Sequence, residues 1–138
     1  MKKTDRVVTF RGSFLGIVAL TIIQVINGLI HTFFGLVLLL GTSISMTSSN
    51  FPLVFSFYAL IYGILTLLFT FLLWKGKGLG WIGTVVVALF VILADSLTVL
   101  DLLTFLGIIK IAAIVEIPYS LATVLYLIQN HVRIKYGI

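Results

Sequence analysis

The stretch Gly12–Gly41, GSFLGIVALTIIQVINGLIHTFFGLVLLLG, decides how this chain is read. It contains no Asp, Glu, Lys or Arg over thirty residues, and Leu, Ile, Val and Phe recur on every side of a helical projection. A helix that is apolar all round is solvated by lipid or by other apolar helices. Its polar residues are nevertheless ordered. At about 100° per residue, Ser13, Thr21, Gln24, Asn27, Gly28, His31, Gly35 and Thr42 all fall within roughly 60° of one direction. The first helix therefore carries one polar, small-residue stripe on an otherwise apolar surface.

The rest of the chain has the same character. Of its 138 residues 61% are hydrophobic and 9% charged, against about 25% charged in soluble domains. A chain this small and this apolar has the bilayer for its solvent. The absence of cysteine removes disulfides, thiol catalysis, iron–sulfur clusters and zinc–thiolate sites. The net charge of +5 comes from bases that flank apolar segments, which points to membrane orientation and anionic lipid rather than to nucleic acid. The charged start, Met1–Arg11, is similar to the n-region of a signal peptide. The apolar run behind it is too long and lacks a small-x-small cleavage site, so an uncleaved first span is expected.

Four spans are expected, at about 13–40, 52–74, 81–103 and 108–128, in an all-α, up-down-up-down integral membrane bundle forming a single domain. Pro52 is placed where a helix start tolerates proline, and Pro118 lies inside the fourth span, where it removes a backbone hydrogen bond. In the second span Ser56, Ala59, Gly63, Thr66 and Thr70 share a face suited to close helix packing. Phe55, Tyr58, Tyr62 and Phe69 take the opposite face, toward lipid or a partner subunit. In the third span Thr84, Ala88, Asp95 and Thr98 line one side.

Eight of the nine Lys and Arg residues fall in the N-terminal segment, the second turn and the C-terminus. These are Lys2, Lys3, Arg6, Arg11, Lys75, Lys77, Arg133 and Lys135, and four spans bring all three regions to one side. The positive-inside rule then places both termini in the cytoplasm of a multi-pass cell-membrane protein, with these bases toward cytoplasmic lipid headgroups. Lys110 is on the other side, where it can pair with Asp101 at the external interface.

Carboxylates inside a span cost about 2.5–3.5 kcal/mol on insertion scales, and by default they mark a functional hypothesis. Asp95 and Glu116 each lie six residues inside the external turn, roughly 9 Å deep by helix rise. His31 lies in the same outer half. An intramembrane cluster of Gln24, Asn27, His31, Asp95 and Glu116 follows. It can fix helix register by satisfying its own hydrogen bonds, handle a proton or small cation, or hold a metal. One imidazole is a thin metal signature, so no metal site and no cofactor is assigned. His131, more than about 25 Å away by helix rise, belongs to the cytoplasmic interface.

No catalytic residue is assigned. There is no G-x-S-x-G and no H-E-x-x-H, and Lys75-Gly76-Lys77-Gly78-Leu79-Gly80 does not match a phosphate loop, because no Ser or Thr follows the lysine. This turn, bracketed by Trp74 and Trp81, and the ending Tyr126-Leu127-Ile128-Gln129-Asn130-His131-Val132-Arg133-Ile134-Lys135-Tyr136-Gly137 resemble a broad group of small, mostly uncharacterised four-span prokaryotic membrane proteins common in archaea. The resemblance implies the layout and transfers no catalytic residue. The functional expectation is a non-enzymatic accessory subunit of a larger membrane complex, of respiratory or oxygenase type, or a homo-oligomer. Its partners would be the lipid bilayer and other membrane subunits or itself, without nucleic acid and without a soluble small-molecule substrate. The alternatives are a small proton or cation transporter using His31, Asp95 and Glu116, and a metal-dependent membrane enzyme subunit.

Overall fold

The computed structural model describes residues 3–44, 51–102 and 110–138. Five helices account for nearly all of them: α1 (Lys3–Ile44), α2 (Phe51–Trp74), α3 (Gly78–Val99), α4 (Lys110–Leu127) and the short α5 (Asn130–Lys135). No strand occurs among the described residues. Four segments are long and apolar enough, by length and composition, to cross a membrane: Leu15–Gly41, Leu53–Trp74, Gly78–Val99 and Lys110–Leu127. Lys2 and the turn residues 103–109 lie outside the described residues, as do the side chains of Lys3, Arg6, Arg11, Ser13 and Thr42.

The helix ends have identifiable causes. Gly76 takes φ +69°, and the Gly76 and Lys77 amides donate to the carbonyls of Leu73 and Leu72, both at 3.0 Å. This is a Schellman ending, which needs a left-handed residue and so favours glycine. Lys77 then caps α3 with extended backbone, so α3 opens at Gly78, three residues before Trp81. The far end of α3 repeats the motif without a glycine. Asp101 adopts φ 61°, and the Asp101 and Leu102 amides donate to Thr98 and Leu97. That reversal ends α3 at Val99, short of residue 103. Pro118 lies within α4, which continues through it.

Neighbouring helices run antiparallel. Gly28 and Gly35 of α1 face Gly63 and Leu60 of α2 in that reversed order, so closely that a Cβ on any of the three glycines would collide with the facing backbone or side chain. Small residues permit such approach, and van der Waals contact is the main force between helices in lipid. Gly80 and Gly83 of α3 meet Leu73 and Phe69 of α2 in the same manner. The main helix contacts are α1 with α2, α2 with α3, and α3 with α4. The seam between α1 and α4 is the loose one, and α2 and α3 each pack against two neighbours.

The basic C-terminus is more than a polar tail. It folds into α5, whose Val132 and the following Tyr136 are buried with Ile17, Leu20, Leu73 and Leu127 in one apolar cluster. Its side-chain donors are satisfied by helix-end carbonyls. Tyr136 Oη donates to the Leu73 carbonyl at 3.0 Å, and Trp81 Nε1 donates to that of Leu127 at 2.9 Å. This cluster seals the end of the bundle that holds the termini.

Candidate functional site

The stripe on α1 turns toward the other helices along its whole described length. Gln24 is buried and its Oε1 accepts from Thr70 Oγ1 at 2.9 Å. One turn later Asn27 Nδ2 donates to Tyr62 Oη at 2.9 Å. One turn further, His31 sets its ring edge-on to Tyr62, with centroids 4.7 Å apart. Each is a polar side chain on α1 answered by a hydroxyl or ring on α2.

His31 is held at both nitrogens. Nδ1 lies 3.0 Å from the Asn27 carbonyl, and Nε2 lies 2.9 Å from Glu116 Oε1 on α4. A carbonyl only accepts, so Nδ1 carries a hydrogen. A second proton must then lie between Nε2 and Oε1, on the imidazole or on the carboxyl, because two lone pairs would otherwise face each other. The pair therefore shares one transferable proton. It crosses the loose α1–α4 seam, and both side chains remain about one-fifth exposed. Glu116 makes no other hydrogen bond with the described residues.

Asp95 behaves differently. It is fully buried on α3, and neither carboxylate oxygen has a hydrogen-bond partner among the described residues. It lies within electrostatic range of Glu116 and His31 and hydrogen-bonds to neither. The Tyr58 hydroxyl on α2 is also buried without a partner among the described residues. An unpaired buried carboxyl is expensive in any apolar medium, and structural pairing accounts for His31 and Glu116 but not for Asp95.

Two spaces adjoin these residues. A cavity of about 20 Å³ among Gln24, Tyr62, Thr66, Thr84, Ser120 and Thr123 is large enough for one water molecule. The Thr66 and Thr84 hydroxyls, buried without partners among the described residues, line it. The other is a groove of about 750 Å³ between α1 and α4, walled by Ile23, Ile26, Ile30, Ile111 and Val115, with Asn27 and Glu116 in its lining.

The aromatic face of α2 is a correction. Phe55, Tyr58 and Tyr62 form a stacked ladder, Tyr58 leans on Phe90 of α3, and Tyr62 is only 7% exposed. Tyr62 is inside the bundle, while Phe55 and Tyr58 are half-buried rather than fully displayed to lipid or a partner. The reason is chemical: Tyr62 and His31 need polar neighbours, which only the interior supplies. Among the described side chains of α2, the exposed rings are Phe57, Phe71 and Trp74.

The remaining assigned residues lie elsewhere. Asp101 and Lys110 form an exposed ion pair at 2.7 Å, bridging the turn between α3 and α4. Lys75, Lys77, Arg133 and Lys135 are exposed at the termini end, with Lys75 Nζ 4.5 Å from the centroid of the Phe71 ring. His131 is at that end too, edge-on to Tyr126. Among the described residues no group of three His, Cys, Asp or Glu converges on a metal position. Both His31 nitrogens are already occupied. Tyr62, Thr70 and Tyr119 belong to the polar interior but were not picked out as site residues. The signal that could have found Tyr62 is a phenol hydroxyl at membrane depth, which requires a partner.

No protein-family model, curated protein or solved structure matches the chain.

Proposed function

We propose that the chain is a non-enzymatic, multi-pass protein of the cell membrane that passes a proton or small cation by way of His31, Asp95 and Glu116. The observation that carries this reading is Asp95, a fully buried carboxyl whose oxygens have no hydrogen-bond partner among the described residues, near a histidine–glutamate pair that shares one proton. A cluster serving only to hold helices in register would satisfy its own acceptors. The distribution of bases supports termini in the cytoplasm, with the carboxyl cluster toward the external side. Because the chain has no cysteine, single-cysteine variants at Lys77 and Leu102 report sidedness directly by impermeant maleimide labelling.

The test of function is flux in proteoliposomes. Wild-type protein dissipates an imposed proton or monovalent-cation gradient, and Asp95→Asn or Glu116→Gln abolishes the flux while the protein still purifies as a folded species. A wild type that moves neither ion ends this reading.

A second reading is the accessory-subunit one, as part of a larger complex or a homo-oligomer. It no longer draws support from the aromatic ladder. What favours it is α1, whose face from Ile22 to Leu40 stays exposed beyond its packing on α2, wide enough to receive a partner helix. Native copurification from membranes followed by mass spectrometry tests it, and a lone monomer counts against it.

A further inference from the structure

We infer that the groove between α1 and α4 is a binding site for the ammonium head of a hydrophobic amine entering from the bilayer. The inference rests on the cation reading of the Glu116 cluster and names the class of cation. Four features of the groove and its surroundings lead to it.

The first is shape. A cleft of about 750 Å³ is within the range of small-molecule sites, and it is open along the seam where α1 and α4 scarcely touch. The second is its lining: isoleucine and valine walls from both helices enclose Glu116 and Asn27. A lipid tail fits such walls but cannot answer a carboxylate. The third is the hydrogen-bonding sense of the polar groups. Glu116 Oε1 is engaged by His31, which leaves Oε2 free among the described residues. Asn27 gives one amide hydrogen to Tyr62 and keeps a second one and its side-chain carbonyl. Asn27 can therefore donate or accept, while the charged group of the lining, Glu116, offers an acceptor, so the complementary ligand is a donor.

The fourth feature is the charge balance. The groups that face one another here are His31 on α1, Tyr58 and Tyr62 on α2, Asp95 on α3, and Glu116 and Tyr119 on α4. Two of them are acids that reach −1 and one is a base that reaches +1. Lys110 is taken up by Asp101 at the rim. The site therefore lacks one positive charge, which either a proton or an ammonium supplies. An ammonium in the groove supplies it at Glu116 through a charge-assisted hydrogen bond. A hydroxyl-bearing ligand of the same shape donates a hydrogen bond but brings no charge.

The probe pair is 1-aminoadamantane and 1-adamantanol, equal in cage and different in head group. Equilibrium binding to the purified full chain in lipid nanodiscs is measured with tritiated ligand. Saturable binding of the amine, at least about tenfold tighter than that of the alcohol, is expected from one charge-assisted contact. Glu116→Gln should erase that difference. Ala112→Phe, which narrows the groove without touching the polar groups, should weaken both ligands. Equal affinity for the two probes in the wild type overturns the inference without any variant. So does efficient disulfide cross-linking of cysteines at Ile26 and Val115 between two chains in the membrane, since a second copy then fills the groove. The two proposals separate cleanly. Amine binding without any flux removes the transport reading and keeps the site, and proton flux without amine binding does the reverse.

Discussion

The two ends of this bundle bury polar atoms in opposite ways. At the termini end, Trp81 and Tyr136 each point a donor at a helix-end carbonyl, and Ile17, Leu20, Leu73, Leu127 and Val132 close around them. In the other half, Gln24, Asn27 and His31 find partners on α2 and α4, yet Asp95 finds none and Glu116 keeps one oxygen open to a groove. The difference separates construction from chemistry. The termini end aims its side-chain donors at helix-end carbonyls, whereas the other half leaves a carboxyl and several hydroxyls unpartnered among the described residues.

Replacing Asp95 should break the comparison most sharply. Asp95→Asn is expected to abolish proteoliposome flux and yet to leave thermal stability in detergent equal or higher, because it removes an unpaired buried acid. A variant that unfolds while its residual flux is normal would assign Asp95 to structure instead. Leu127→Ala should do the opposite: it opens a cavity in the apolar cluster and costs about 2–5 kcal/mol, read as a lower midpoint of tryptophan fluorescence melting, with flux per folded molecule unchanged.

Tyr136→Phe tests a single donor and should cost about 0.5–1.5 kcal/mol. The same residue predicts a pH response. Burial, reinforced by Tyr126, pushes the Tyr136 phenol up to about 12. The neutral phenol is thus favoured in the folded state, and its contribution is fully present below about pH 10, the unfolded value. It is lost as pH rises from there through about 12. Melting scans between pH 9 and 12 should show a steeper decline in the wild type than in Tyr136→Phe. The smallest effect belongs to Lys110→Ala, which removes an exposed ion pair and should shift stability by less than about 1 kcal/mol.

Much of the helical layout was legible in the residues. The uncharged thirty-residue run, the Lys75–Gly80 turn between tryptophans and the position of Pro52 each signal a helix or its boundary through local chemistry. The end of α3 was less so, because Asp101 takes a left-handed conformation that glycine usually marks. The fold of α5 was also hidden. Val132 and Tyr136 alternate with bases, and only their burial against α1 and α2 gives the segment its role.

For the site, periodicity alone put Gln24, Asn27 and His31 on one face, and matched depth put Asp95 and Glu116 near them. Which of these residues touch could not be read from spacing. The α2 aromatics show why: at about 100° per residue they point only about 90° from the small-residue face of α2, so they are flanking rather than opposite, and neighbours on both sides cover part of each. Composition and pattern therefore determined that the chain is an apolar helical protein with four segments long enough to span a membrane and a polar stripe on the first. Tertiary structure decided that the stripe meets Tyr62, Thr70 and Glu116, that Asp95 has no partner among the described residues, and that α1 and α4 scarcely touch. Those outcomes depend on close approach at Gly28, Gly35 and Gly63, which sets distances between helices that no single helix encodes.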